Sequence, residues 1–293
     1  ETEIRNGHGA LMEGKTCLVT GATSGIGKAA ARELARLGAT VVVAGRNPEK
    51  CAATVQDIRR QTGNPSVDFL LADLSSQQQV RRLAEEFKGR YPRLEVLVNN
   101  AGAIMLSRRQ SVDGIEMTFA LNHLSYFLLT GLLLDSLIDS SPSRVVNVSS
   151  IAHQKATIDF EDLQGTQRYR GMRAYGRSKL ANLLFTFELA RRLEGTGVTA
   201  NAVHPGLVAT GLLTNNGLAG RLINLGLRVA GKGVAAGAET VVYLAASPGV
   251  AGVTGQYFVE RKPVASSQAS RDAATAGRLW RISAEMTGME LEG

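Results

Sequence analysis

Tyr175 and Lys179 are the residues whose types and spacing could most directly do chemistry, and they stand four positions apart in a helical pattern that continues to about Arg192. In an α-helix, positions i and i+4 lie on one face, about 5–6 Å apart between Cβ atoms. A phenol has a pKa of about 10, and a neighbouring ammonium group lowers it by favouring the phenolate. The spacing therefore predicts a phenol that exchanges a proton near neutral pH. Taken alone, the same spacing is also typical of a solvated helix face.

A glycine-rich turn lies between a predicted strand, Thr16–Thr20, and a predicted helix with Leu34 and Leu37 on its apolar face. Glycines let the backbone approach a pyrophosphate, and a helix N-terminus supplies free N–H groups and a positive dipole end. A glycine turn between a strand and a helix predicts nucleotide binding. The residues expected to contact the cofactor here are Gly21, Thr23, Ser24, Gly25, Ile26 and Gly27.

The second predicted strand, 40–44, ends in the sequence Gly45-Arg46-Asn47. In NAD-binding folds an acidic residue near this point holds the ribose 2′-hydroxyl, whereas an arginine accommodates the 2′-phosphate of NADP. This turn contains an arginine and no acidic residue, which favours NADP(H) and assigns Arg46 and Asn47 to its site. The alternative is an arginine in a solvent-facing loop.

Two further predicted strands end in residues that suit the same cofactor. Strand 67–71 is followed by Asp73 and Leu74, where a carboxylate can accept a hydrogen bond from the adenine amino group. Strand 95–99 is followed by Asn100, Ala101 and Gly102, an amide and two small residues that allow close packing. Ligands of open α/β sheets bind at the carboxyl ends of the strands, so we expect these residues to meet at one edge.

The remaining pattern predicts a helix over about 114–138 with Asn122 in its middle, and strands over 144–149, 198–203 and 256–259. Asparagine is a mediocre helix former, so a buried one has either a structural or a catalytic partner. The expected fold is a single α/β domain over 1–293. It is a Rossmann-type doubly wound sheet of about seven parallel strands with helices on both faces, followed by a C-terminal helical tail over 260–293.

Composition excludes several classes of protein. The chain has 293 residues, 44% of them hydrophobic and 20% charged, as in soluble globular proteins. The net charge of +7 comes from 33 basic and 26 acidic residues; basic pairs are scattered without interleaved aromatics, which argues against nucleic-acid binding. Cys17 and Cys51 do not form a disulfide framework. We expect a cytoplasmic protein without a metal site, a signal peptide or a membrane span.

Four features stand in one order: Thr20-Gly-x-x-x-Gly-x-Gly27, Asn99-Asn-Ala-Gly102, Ser150, and Tyr175-x-x-x-Lys179. Together they resemble the short-chain dehydrogenase/reductase family over about 15–260. The resemblance implies NADP(H)-dependent hydride transfer, with Tyr175 as acid and base and Lys179 lowering its pKa. Ser150 would hold the substrate oxygen, and Asn122 would fix a water linking Lys179 to solvent. It also places Pro205, Gly206, Val208 and Thr210 against the nicotinamide.

Ser150 is preferred to the adjacent Ser149, because successive side chains of a strand point to opposite faces. Within the family, the runs 144–153, 178–185 and 279–283 are similar to retinol dehydrogenases. Because residues 1–14 lack the apolar membrane anchor that those enzymes often carry, we expect lipophilic aldehydes, ketones or alcohols rather than retinoid alone. The alternatives are reduction of an activated C=C bond by the same four residues, Asn122, Ser150, Tyr175 and Lys179, and dinucleotide sensing without turnover.

Two apolar patterns remain. The leucines of 207–230 follow a helical spacing between glycines, which predicts a lid over 207–235 that closes on the substrate. The expected substrate contacts are Ser150, His153, Leu212, Leu218 and Leu222. The second pattern is an apolar stripe that continues the helix of Tyr175. It predicts a homodimer or homotetramer unless the sheet covers it, and it consists of Leu180, Leu183, Leu184, Phe187 and Ala190.

Overall fold

A computed structural model of the protein describes residues 11–206 and 233–290. Its sheet is built from β1 (Thr16–Thr20), β2 (Thr40–Gly45), β3 (Val67–Leu71), β4 (Val96–Asn99), β5 (Ser143–Val148), β6 (Val198–His204), β7 (Tyr257–Val259) and β8 (Lys262–Pro263). The strand order is β3-β2-β1-β4-β5-β6-β7-β8. Strands β1 to β7 pair in parallel, and β8 pairs antiparallel with β7.

The predicted doubly wound class is confirmed, with eight strands rather than about seven. The additional strand β8 contains two exposed residues, Lys262 and Pro263, which are too few to show an alternating pattern. A proline there is compatible with an edge strand, where its missing N–H removes no ladder hydrogen bond.

The strand order reverses between β1 and β4, and this reversal creates the crevice where ligands of such sheets bind. The central strands are apolar throughout: Val41, Val42 and Val43 are all fully buried. Such continuous burial is typical of a parallel sheet covered on both faces.

Nine α-helices are described in 11–206 and 233–290. They are α1 (Gly25–Arg36), α2 (Pro48–Thr62), α3 (Gln77–Arg90), α4 (Met117–Phe119), α5 (Ser125–Leu132), α6 (Leu134–Asp139), α7 (Gly171–Arg192), α8 (Val234–Ala246) and α9 (Ala273–Thr287). Helices α1, α2 and α8 bury their apolar faces on one side of the sheet. Helices α3, α5 and α7 cover the other side. The helices on both faces are as predicted.

The segment predicted as one helix over 114–138 is interrupted. Between α4 and α5 the chain forms a π-helical turn, Ala120–Leu124, and α6 begins separately at Leu134. The extra residue in a π turn redirects the side chains that follow it. Here it turns Asn122 toward the backbone of Ala103 and His123 toward Ser283 of α9.

Most of the apolar stripe of α7 is covered within the chain. Leu180 and Leu184 pack in a cluster that includes Leu279 of α9. Leu183 packs with Ala202 of β6 and with Tyr257 of β7. The sheet and α9 together account for the burial of Leu180, Leu183 and Leu184, whereas Phe187 is only half-buried. The predicted homodimer or homotetramer stays a prediction.

Across the described ranges 11–206 and 233–290, none of the helices combines the length and the hydrophobicity that a bilayer crossing demands.

Candidate active site

The glycine turn after β1 is pressed against the residues that follow β4. Gly21 has a φ of 64°, and a Cβ built on it would lie 2.8 Å from the Cα of Ala101. The Asn100 amide ties the two segments together by donating to the Thr20 carbonyl at 2.8 Å. Both the backbone conformation and the close approach therefore require glycine at 21.

The same turn leads directly into α1. A Cβ built on Gly27 would lie 2.4 Å from Asn100 Nδ2 and 2.7 Å from the Gly21 carbonyl oxygen. Ile26 is buried, whereas Thr23 is half-buried and Ser24, the residue at the N-cap, is exposed. The Ser24 side chain does not cap α1 in the described structure. The first amides of the helix are thus left for an anion to bind.

Arg46 and Asn47 follow β2 beside this turn. A Cβ on Gly45 would lie 2.8 Å from Thr23 Cγ2, so the end of β2 abuts the turn directly. Arg46 is exposed at the protein surface next to that contact. Asn47 Oδ1 accepts from the Lys50 amide at 2.8 Å, which caps α2 and positions the loop that carries Arg46.

Asp73 and Leu74 follow β3. One carboxylate oxygen of Asp73 accepts from the Ser75 amide at 3.0 Å and the Ser75 hydroxyl at 2.7 Å. Leu74 is buried in the core shared with α3. One carboxylate oxygen of Asp73 thus holds its own loop. The other oxygen is the one suited to accept a hydrogen bond from the adenine amino group.

Gly102, which follows β4, lies close to both Asn122 and Lys179. A Cβ built on Gly102 would lie 3.2 Å from Asn122 Oδ1 and 3.6 Å from Lys179 Nζ. Even an alanine at 102 would press on Asn122, and its Cβ would already be in contact with Lys179. The small residues after β4 therefore leave room beside the ammonium group.

Lys179 is 2% exposed, and its Nζ donates to the Val148 carbonyl at 2.9 Å. Burial lowers the pKa of Lys179 from 10.5 to about 7. The Nζ atom lies 5.8 Å from the ring centroid of Tyr175 and 5.6 Å from that of Tyr126. An ammonium group with three N–H donors and this one acceptor among the described residues retains donors for ribose hydroxyls.

Tyr175 lies in the second turn of α7 and is 6% exposed. Burial raises its pKa, and a hydrogen bond with the Ser150 side chain opposes that rise. The sequence predicted a lowered pKa, and this expectation is wrong for the structure described here. The reason is that desolvation of the phenolate outweighs the other influences on the group.

The two serines after β5 separate as expected. Ser149 is buried, and its hydroxyl donates to the backbone carbonyl of Lys179 at 2.8 Å. Ser150 is half-buried, on the side of Tyr175, and its Oγ accepts from the Ala152 amide at 3.3 Å. Ser149 therefore braces α7, whereas Ser150 is the hydroxyl beside the phenol.

Asn122 is fully buried and is held by several hydrogen bonds. Its Oδ1 accepts from the Ala103 amide at 2.9 Å. Its Nδ2 donates to the Ala103 carbonyl at 2.9 Å and to the Ser178 hydroxyl at 3.0 Å. The side chain thus joins the loop after β4 to α7, one residue before Lys179. These contacts give the buried asparagine structural partners, and its role in fixing a water that links Lys179 to solvent stays a prediction.

The other predicted site residues lie partly inside and partly outside the described ranges. His153 is fully buried with both ring nitrogens in hydrogen bonds to the protein, so its polar atoms do not face a substrate. Pro205 and Gly206 follow β6 at the carboxyl edge of the sheet, and Gly206 has a φ of 85°. Some predicted contacts lie outside the described residues: Val208, Thr210, Leu212, Leu218 and Leu222.

Sequence reasoning missed Tyr126, whose hydroxyl donates to the Ala101 carbonyl at 2.9 Å beneath Lys179. The available signal was its spacing, four residues after Asn122. It also missed Ser178, which donates to the Tyr175 carbonyl at 2.7 Å while it accepts from Asn122. The glycine turn, the open first turn of α1, the small residues after β4 and the buried ammonium of Lys179 fit an extended dinucleotide along one sheet edge.

Comparison with known proteins agrees with this geometry. The family model described as short chain dehydrogenase matches residues 15–220. The chain is 46% identical to mouse retinol dehydrogenase 12 over 281 residues, 96% of this chain and 89% of that protein. It is 44% identical to human retinol dehydrogenase 13 over 289 residues, 96% of this chain and 87% of that protein.

Solved structures show the same fold. A protein from Mycobacterium paratuberculosis is 35% identical, with a TM-score of 0.77 and 96% of each chain covered. A short chain dehydrogenase from Escherichia coli, complexed with NADPH, is 25% identical, with a TM-score of 0.68, 86% of this chain and 98% of that one covered. The sheet, the site and these likenesses show that the chain belongs to the short chain dehydrogenase family of oxidoreductases.

Proposed function

We propose that the protein is an NADP(H)-dependent oxidoreductase that interconverts lipophilic carbonyl compounds and alcohols. The main observation that supports this proposal is the arrangement of Tyr175, Lys179 and Ser150. A phenol, a buried amine whose pKa is about 7 and a hydroxyl lie together at the carboxyl edge of the sheet. When bound, the dinucleotide would supply or accept the hydride at this edge.

The residues of the chain would then handle the proton and the substrate oxygen. Ser150 and Tyr175 would both hydrogen-bond that oxygen, and Tyr175 would give or take its proton as general acid or base. Lys179 would favour the phenolate through its charge and bind the ribose hydroxyls. Asn122 would keep the loop after β4 and α7 at a fixed separation. Positioning of this kind provides much of the rate in such a site.

Support for NADP(H) over NAD(H) comes from Arg46. Arg46 follows β2 and lies beside the glycine turn, and the segment 45–47 contains no acidic residue. A guanidinium there suits a 2′-phosphate and an acid would repel it. Related structures are described as complexes with NADPH and NADP.

Support for a lipophilic substrate comes from the surroundings of Tyr175. Ile104 and Ala152 pack against the phenol. Next to the site, Ile151 is 43% exposed and Met172 is 59% exposed, although both are large apolar side chains. Relatives of the chain are named retinol dehydrogenases, which agrees with this apolar character.

The test is NADPH oxidation with a panel of aldehydes, ketones and enones. Each buried CH₂ contributes up to about 0.8 kcal/mol. A ten-carbon aldehyde should therefore exceed a six-carbon one in kcat/KM by up to roughly two decades. A preference for sugars or hydroxy acids would contradict the substrate class. Turnover of enones without aldehydes would instead favour C=C reduction.

A further inference from the structure

The short 3₁₀ turn Ile151–Lys155 directly follows Ser150, and His153 within it is fully buried. The Ser150 carbonyl accepts from this one residue twice. The His153 backbone amide donates to it at 3.2 Å, and the ring Nδ1 lies 2.7 Å from it. The imidazole therefore fixes the peptide group of the serine that stands beside Tyr175.

The other ring nitrogen of His153 reaches a distant part of the chain. The Ser267 amide donates to Nε2 at 3.2 Å, across a sequence separation of 114 residues. The ring also packs edge-on against Tyr257 of β7, with centroids 5.1 Å apart. A carbonyl on Nδ1 and an N–H on Nε2 together require the neutral ring with its proton on Nδ1. Burial lowers the pKa of His153, which preserves that form.

We propose that His153 is a positioning residue through which the segment 266–271 holds Ser150 in place for the reaction. The inference rests on the proposed function, since it assigns importance to Ser150 through that reaction. The Ser150 hydroxyl belongs to the turn that His153 anchors, because its Oγ accepts from the Ala152 amide. Loss of the link to Ser267 should loosen the turn and displace that hydroxyl from Tyr175.

Ser267 offers a matched pair of variants. Its φ of −60° is one that proline adopts, so Ser267→Pro removes the N–H with little strain in that dihedral. Ser267→Ala keeps the N–H and removes a buried hydroxyl for which the described residues provide no partner. The proline variant tests the link to His153, and the alanine variant controls for the loss of the side chain.

We expect Ser267→Pro to lower kcat/KM about 2–12-fold, as for one net hydrogen bond. Ser267→Ala should stay within twofold of the wild type. The NADPH dissociation constant should be unchanged in both variants, because no residue of the turn is among the proposed cofactor contacts. Unfolding of part of the population would instead weaken the apparent binding of NADPH as well, which separates positioning from loss of the fold.

A double-mutant cycle adds a decisive comparison. His153→Asn retains a donor near the position of Nδ1 and loses the acceptor at Nε2, so it breaks the same link from the other side. If the link is real, Ser267→Pro should cost nothing further in the His153→Asn background. Additive losses in kcat/KM would overturn the proposal.

Amide hydrogen exchange gives a readout that does not depend on turnover. The His153 and Ala156 amides are bonded within the turn, and their exchange should accelerate in Ser267→Pro but not in Ser267→Ala. Unchanged exchange over 151–156 in Ser267→Pro would also overturn the proposal. If the wild type oxidised NADPH with none of the carbonyls, the proposed function would fail, while the exchange data would still decide whether the link exists.

Discussion

The ammonium group of Lys179 donates a hydrogen bond to the backbone carbonyl of Val148 at 2.9 Å, in the buried interior between β5 and α7. The same carbonyl oxygen also accepts a hydrogen bond from the side-chain Nδ2 of Asn182 at 3.4 Å. Burial sets the pKa of Lys179 at about 7. The amine therefore changes its charge near neutral pH, where the charge can influence Tyr175, one helical turn away.

The first prediction concerns stability and pH. Because the folded pKa of Lys179 is below its ordinary 10.5, the unfolded state binds more protons between about pH 7 and pH 10.5. The stability of the wild type should therefore rise with pH across that window. Below pH 7 the full cost of burying the ammonium is present, roughly 5 kcal/mol at most at 1.36 kcal/mol per pKa unit.

The variant Lys179→Met cannot titrate, so its stability relative to the wild type should be greatest below pH 7 and should decline toward pH 10. Urea unfolding at both pH values measures the difference. The exposed Lys88 provides a control, and Lys88→Met should show no such slope. A difference between Lys179→Met and the wild type that did not vary with pH would contradict the lowered pKa.

The second prediction concerns the glycine turn. Gly21 and Gly63 both have positive φ, 64° and 72°, so alanine at either should cost roughly 1–2 kcal/mol of stability. At Gly21 the new Cβ would also lie 2.8 Å from a backbone atom of Ala101, whereas at Gly63 nothing lies within 4 Å. NADPH affinity, measured by calorimetry, should fall tenfold or more in Gly21→Ala. The account predicts no such fall in Gly63→Ala, and equal affinity losses would count against a cofactor site at this turn.

The third prediction concerns cofactor choice. Arg46→Asp should reverse the preference for NADPH over NADH, because it removes one charge-assisted contact worth about 1.5–3 kcal/mol, or about 10- to 100-fold in affinity. The exposed Arg82 on α3 is the matched control for a change of two charge units. Equal affinities of the wild type for both cofactors, or the same loss in Arg82→Asp, would contradict a role for Arg46 in recognising the phosphate.

Local patterns explain which parts of this structure could be predicted. The i, i+4 spacing placed Tyr175 and Lys179 together, and strand alternation distinguished Ser150 from Ser149. The π-helical turn at Ala120–Leu124 could not be foreseen, because the hydrogen-bond partner of its Asn122, the backbone of Ala103, lies 19 residues away in the sequence. The role of His153 could not be foreseen either, because the partner of its Nε2, the Ser267 amide, is 114 residues away in the sequence.

The environment of a titratable group was the least predictable feature. The sequence shows that Lys179 is near Tyr175, but it does not show how much water each group has lost. In the structure burial dominates both pKa values, lowering that of Lys179 and raising that of Tyr175. Desolvation depends on the whole packed interior, which no short spacing encodes.

The most direct test of the proposed reaction is Tyr175→Phe, which removes only the phenolic hydroxyl from a buried site. With the best carbonyl substrate of the wild type, NADPH oxidation should fall about 10²- to 10⁴-fold, which is the range expected for the loss of a general acid. The NADPH dissociation constant of the same preparation should stay within about twofold of the wild type, since the shift in binding free energy should be below 0.4 kcal/mol. A Tyr175→Phe enzyme that binds NADPH normally and retains most of its turnover would show that the phenol is not the proton donor.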